Sequence, residues 1–170
     1  TILKNGARYM RENTDTLAKP MTEEMGKPVK EARAEVLKSA WCAEHYAENA
    51  ETYLTTEILA SDASSSYVQY LPLGTILGIL PWNAPFWLAF RFLAPALMAG
   101  NTCVMKHDSH VPACSLAIAE IFENLPFKDD MASMEYPLFT LSKKPDMRIL
   151  RYENGNAGQR HAVFINAAPD

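Results

Sequence analysis

The apolar positions of this chain change period along its length, and the change divides it into a helical N-terminal part and an alternating central part. Val29, Ala32, Val36, Ala40, Ala43, Ala47 and Ala50 recur at steps of three and four, which predicts one long amphipathic helix with a narrow, mostly alanine stripe. Upstream, Ile2 to Arg11 reads as a helix. Asn13-Thr14-Asp15 offers the cap of a second one through Leu17, Met21 and Met25, closed by Gly26 and Pro28. Pro20 is expected to kink or shorten that second helix, because it removes a backbone donor at a cost of about 3 kcal/mol if the helix runs straight through. After the polar break Ser61 to Ser66, Tyr67 to Leu71 reads as a strand leading into the central stretch.

Thr75 to Leu80 is a short apolar run between Pro72-Leu73-Gly74 and Pro81, and it reads as a fully buried strand. Phe86 to Met98 is apolar on nearly every side, so it reads as a helix packed on a sheet and ended by Gly100-Asn101. Thr102 to Met105 is the next buried strand, and Pro112 to Leu125 the next helix, with Pro112 suited to its first turn. The order strand, helix, strand, helix predicts an α/β fold with parallel strands and right-handed crossovers, the start of a doubly wound sheet. Two parallel strands cannot form such a sheet alone, since both faces and both edges need cover. Past Pro126 the periodicity fades, and only His161 to Asn166 reads as a weak strand. The chain therefore divides into residues 1–126, holding the helices and the partial sheet, and a shortened tail, 127–170.

At 170 residues and 48% hydrophobic, the chain is large enough for a core. Sixteen basic residues against 20 acidic ones provide no basic stripe for nucleic acid or an anionic membrane. Ile76 to Gly100 is too often broken, by Pro81, Asn83, Pro85, Arg91 and Pro95, to span a bilayer. Cys42, Cys103 and Cys114 have neither metal-type nor redox-type spacing, so they read as small buried hydrophobes. A cytoplasmic or matrix-like compartment and a small-molecule partner fit these features. Asn83 falls after the first central strand and beside the next helix N-terminus, where open α/β sheets place ligands.

Taken together, the segments MTEEMGKPVKEARAEV, LPLGTILGILPWNAPFW and RFLAPALMAGNTCVMK resemble the N-terminal and coenzyme-binding portion of the aldehyde dehydrogenase superfamily, over about residues 1 to 125. P-W-N before a proline-bearing helix, followed by P-A-L-x-A-G-N-T and a strand ending in lysine, is more specific than a lone glycine motif. Lys106-His107, where most of the family has Lys-Pro, and Arg91 most resemble the NAD(P)-dependent succinate-semialdehyde branch. The resemblance implies a Rossmann-like sheet preceded by helices and an NAD- or NADP-dependent oxidation of an aldehyde, succinate semialdehyde in that branch. It also implies an oligomer with an intact family subunit as a partner.

Residue by residue, the resemblance implies that Asn83 donates its amide to an oxyanion and that Lys106 bonds the adenosine ribose. Leu80, Pro81 and Trp82 would line the coenzyme. Ser109 falls where many NAD-preferring relatives have a ribose-gripping glutamate, so a 2′-phosphate is not repelled there, and His107 would either add positive charge beside it or serve as a structural donor. Arg91 would pair with a substrate carboxylate. In the tail, Asn156-Ala157-Gly158-Gln159-Arg160-His161 resembles the segment N-x-G-Q-x-C, with His161 where the catalytic cysteine stands. The family's glycine-bearing phosphate loop and its E-L-G-G segment with the general-base glutamate are not found between Leu125 and Leu150. An alternative to the enzyme is thus a non-catalytic fragment that binds an intact subunit or a dinucleotide.

Overall fold

The computed structural model describes residues 2–123, 147–153 and 159–166. Three helices come first: α1 (Ile2–Glu12), α2 (Thr14–Met25) and α3 (Val29–Leu54). The expected cap of α2 is used differently. Asn13 Nδ2 donates to the Tyr9 carbonyl at 2.9 Å and Thr14 Oγ1 to the Met10 carbonyl at 2.9 Å, so both side chains close the end of α1. Pro20 does not shorten α2, which runs through it to Met25 and stops at Gly26, whose φ of 72 is the left-handed conformation glycine adopts freely.

The alanine stripe of α3 is buried at Ala32, Val36, Ala40 and Ala43. Val29, expected on that stripe, is 58% exposed, and the polar residues Glu35 and Ser39 are buried instead. Ser39 Oγ bonds the Glu35 carbonyl one turn back. The carboxylate of Glu35 has a more consequential partner, described below.

The expected Tyr67 to Leu71 strand shrinks to β2 (Tyr67–Val68). It pairs antiparallel with β1 (Glu57–Ile58) as a separate two-stranded ribbon, outside the central sheet. The central unit follows expectation more closely. Strand β3 (Thr75–Ile79), helix α4 (Pro85–Met98), strand β4 (Thr102–His107) and helix α5 (Pro112–Glu123) alternate, and β3 and β4 are parallel neighbours with Ile79 opposite Lys106. Asn101 secures the return of the chain. Its Oδ1 accepts from the Leu73 and Gly74 amides at 2.7 and 3.2 Å, while its Nδ2 donates to the Ala96 carbonyl, tying the entry of β3 to the end of α4.

The strands missing from the two-stranded reading come from the tail. β5 (Met147–Glu153), which the Asn- and Gly-rich sequence around it concealed, pairs antiparallel with β6 (Gln159–Asn166), and β6 lies parallel to β4. The sheet order is β3-β4-β6-β5.

Helices α4 and α5 pack on each other and on one face of this sheet, with α1 to α3 forming an outer layer over them. Cys103, Met105 and His107 of β4 point into that core. Gly78 of β3 is held bare by Phe92 of α4, whose ring lies 2.6 Å from where a Cβ would stand. The residues alternating with Gly78 face outward. Leu77 is 58% and Ile79 70% exposed, so β3 is not the fully buried strand its composition predicts. Hydrophobicity alone does not reveal which face of a strand is covered, and here only one is.

Candidate functional site

The carboxyl ends of β3 and β4 carry the residues singled out by sequence. Leu80 closes β3 by donating to the Lys106 carbonyl at 3.0 Å. The chain then leaves the sheet through Pro81, Trp82 and Asn83, all exposed, before α4 starts at Pro85. The Asn83 side-chain amide has no hydrogen-bond partner among the described residues, and Ala84 holds the cap position. That leaves the amide free to donate to a ligand. Lys106 alternates with the inward Met105 and His107, so it shares the open face of the sheet with Ile79, its cross-strand neighbour.

Of the two roles open to His107, phosphate ligand and structural donor, the structure fits the second. Its ring is fully buried, Nδ1 accepts from the Asp108 amide at 3.1 Å, and Nε2 meets the Pro85 carbonyl at 3.1 Å. Since Nδ1 accepts, Nε2 carries the proton and donates it to Pro85. Burial pushes the imidazole pKa down from its ordinary value, with the Pro85 bond and Asp108 opposing. A neutral histidine with both nitrogens occupied ties β4 to the first turn of α4 and offers a phosphate nothing. Ser109 lies half-buried in the next turn, where Asp108 Oδ1 accepts from the His110 amide at 2.9 Å. The His110 ring comes within 6.2 Å of Trp82, bringing the two connecting loops together at this end of the sheet.

Arg91 is exposed on α4, two turns from Asn83, with its guanidinium 5.8 Å from the centre of the Trp87 ring. Lys38 of α3 sits over the same ring at 4.0 Å.

The tail histidine lies elsewhere. Ala162 pairs with Cys103 at the start of β4, so His161 stands at the amino end of the parallel strands, while Asn83 lies beyond their carboxyl end. Four residues of strand rise, about 13 Å, separate the two levels. The fold does not bring His161 and Asn83 together.

Two carboxylates that the sequence reading missed shape this region. Glu35 Oε1 accepts from the Phe86 and Trp87 amides at 3.0 and 3.1 Å, the free donors of the first turn of α4. Glu24 does the same for α5, its two oxygens taking the Ala113 and Cys114 amides at 2.6 and 2.9 Å. Each helix begins with proline, which has no donor, and spends its next two donors on a glutamate from the outer layer. Both helix N-termini are therefore closed to an anion. The signal was present in the sequence, since Glu35 falls beside Val36 on the buried face of α3, where a charge must have a partner.

Among the described residues, the donors left open at this end of the sheet include the Lys106 ammonium and the Trp82 and Asn83 amides. Neither α4 nor α5 can receive a pyrophosphate.

All three cysteines are buried. Burial raises the Cys42 thiol, against the pull of Arg91 and Lys38, and carries Cys103 to about 11. Burial and the Glu24 carboxylate raise Cys114 further. None is a thiolate at neutral pH. Among the described residues there is no group of histidine, cysteine and carboxylate side chains fit to hold a metal ion, and no helix long and apolar enough to cross a membrane.

Comparison with known proteins finds relatives of this chain. The model of the aldehyde dehydrogenase family matches residues 1–134. A probable succinate-semialdehyde dehydrogenase (NADP(+)) from Synechocystis sp. is 50% identical over 127 residues, which are 75% of this chain and 28% of that protein. Among solved structures, succinic semialdehyde dehydrogenase from Streptococcus pyogenes, in complex with NADP+, superposes with a TM-score of 0.70 at 34% identity, over 72% of this chain and 27% of that one. PnpE in complex with nicotinamide adenine dinucleotide gives 0.69 at 30% identity, over 74% and 26%. The chain spans little more than a quarter of the length of these relatives.

Proposed function

The chain belongs to the aldehyde dehydrogenase family, and from that premise we propose that its 170 residues carry the oxyanion-donor and adenosine-ribose portion of a site that oxidises an aldehyde with NAD or NADP. The observation that carries this reading is the unpartnered Asn83 amide at the carboxyl end of β3, with Lys106 at the end of the adjacent parallel strand.

In this reading Asn83 donates a hydrogen bond to the aldehyde oxygen as it becomes negative. Such a donor contributes about 3 kcal/mol in a complete site. Lys106 bonds the ribose hydroxyls, and Leu80, Pro81 and Trp82 line the adjoining surface. Bound NAD(P) supplies the hydride acceptor. The neutral Ser109 leaves a 2′-phosphate unopposed, so NADP is admitted, in keeping with the names of the relatives. Succinate semialdehyde is the proposed aldehyde, its carboxylate paired with Arg91 and assisted by Lys38 across the Trp87 ring. The buried, unpaired cysteines support a reducing compartment such as the cytoplasm.

The covalent step needs a thiolate, and the three cysteines of this chain cannot supply one. The exposed Leu77 and Ile79, on a sheet type that normally has both faces covered, favour a second reading in which the chain acts by binding another family subunit. Calorimetric titration with NADP(+) tests the coenzyme part. The expected result is weak binding, in the millimolar range, made weaker by Lys106→Ala. Low micromolar binding by wild type would overturn the expected weakness, and equal binding by both proteins would overturn the assignment of Lys106.

A further inference from the structure

Lys27 lies in the short link between α2 and α3, directly after the left-handed Gly26. Its side chain is 13% exposed, and its ammonium donates both to Glu35 Oε2 and, at 3.1 Å, to the backbone carbonyl of Asn83. One nitrogen thus joins the α2–α3 link, the middle of α3 and the loop leaving β3.

That loop has little else to hold it. Among the described residues, the amides of Trp82, Asn83 and Ala84 have no partner, and the Asn83 carbonyl is bonded by Lys27 alone. Glu35 fixes the loop one step downstream, at Phe86 and Trp87. Its carboxylate, left unpaired, would be an uncompensated buried charge at the start of α4. The Lys27 ammonium cancels that charge while holding the peptide that carries the donor.

We propose that Lys27 is the positioning residue for Asn83: it fixes the backbone of the donor-bearing loop and neutralises the helix-capping carboxylate beneath it. This deepens the reading of Asn83 as an oxyanion donor and rests on it.

The test is backbone 15N relaxation on the full chain, comparing wild type with Lys27→Arg, Lys27→Met and the double variant Lys27→Met/Glu35→Gln. The glutamine in the double variant keeps an acceptor for Phe86 and Trp87 without a buried charge, so that protein still folds if Lys27→Met alone does not. The order parameters of the Asn83 and Ala84 amides should fall from about 0.85 to below about 0.6 when methionine replaces Lys27. They should recover in Lys27→Arg, and Phe86 and Trp87 should stay rigid in the double variant. A role confined to stability would lower the melting temperature and leave the Asn83 order parameters unchanged. Unchanged values in both methionine variants, or no recovery with arginine, would overturn the proposal. Because the readout uses neither aldehyde nor coenzyme, it reports how the Asn83 peptide is held whether or not the Asn83 amide serves an oxyanion, so the two readings fail separately.

Discussion

Replacing Glu35 by alanine removes the acceptor of two first-turn amides of α4 and strands the ammonium of Lys27. The two amides lie at 3.0 and 3.1 Å from one oxygen. Hydrogen bonds to a charged group are worth roughly 1.5–3 kcal/mol each. Two sharing a single oxygen do not reach twice that, and loss of a helix cap typically costs about 1 kcal/mol, at most about 2. Lys27 recovers part of its loss by swinging into water from a link segment. The combined expectation for Glu35→Ala is about 3 kcal/mol, a fall in melting temperature of about 6–12 °C for a chain of this length. Glu35→Gln keeps an acceptor for both amides and loses the ion pair, so it should cost about 1 kcal/mol. Urea unfolding followed by far-UV circular dichroism measures both, with an unchanged denaturant slope confirming that stability alone has moved. Hydrogen exchange should show faster opening at Phe86 and Trp87 in the alanine variant. If Glu35→Ala lies within about 0.5 kcal/mol of wild type, the range of an ordinary surface substitution, the capping argument is refuted. If the glutamine variant is as unstable as the alanine one, the charge and not the hydrogen bonds sustains the helix end.

Gly78→Ala should destabilise by about 1–3 kcal/mol through the clash with the Phe92 ring, and Phe92→Leu should recover part of that loss in a double-mutant cycle. His107, whose folded pKa lies below its ordinary 6.5, contributes stability above pH 6.5 that is lost as pH falls through the folded value. Stability measured from about pH 7.5 down to about pH 5 should therefore decline in wild type, and the decline should be shallower in His107→Gln; parallel profiles would contradict the buried neutral imidazole. Ellman's reagent at about pH 7.5 should label the three thiols slowly in the native chain and rapidly in urea, since all are buried and raised. Fast native labelling of any one would show a thiol more accessible than the packing allows.

The alternation of β3, α4, β4 and α5 was legible because apolar runs of the right length fell between proline and glycine breaks. Parallel pairing followed from the alternation itself, and the register then placed Leu80 to Asn83 beside Lys106. Less was legible where a residue's role depends on something distant in sequence. Glu24 and Glu35 cap helices that begin about 90 and 50 residues later, and no local pattern reports such a bond. His107 resembled a ligand by position, but strand alternation turned it into the core. The exposure of Leu77 and Ile79 was hidden for the converse reason, since an apolar strand looks the same whether one face is covered or two. Pro20 leaves α2 intact because a kink penalty is a local cost, and the packing of Leu17 and Met21 into the core outweighs it.

The most direct test of the central claim, that this chain holds an oxyanion donor without a nucleophile, is steady-state absorbance of NAD(P)H formation from succinate semialdehyde and from a short aliphatic aldehyde. Wild type, His161→Cys and Asn83→Ala are compared at equal concentration. Because the members of a catalytic unit are strongly non-additive, loss of the nucleophile alone removes nearly all covalent turnover. A thiol placed at position 161 would lie at the wrong end of the parallel strands to restore it. The account predicts no aldehyde-dependent signal from any of the three proteins. Turnover in wild type that disappears in Asn83→Ala would contradict it.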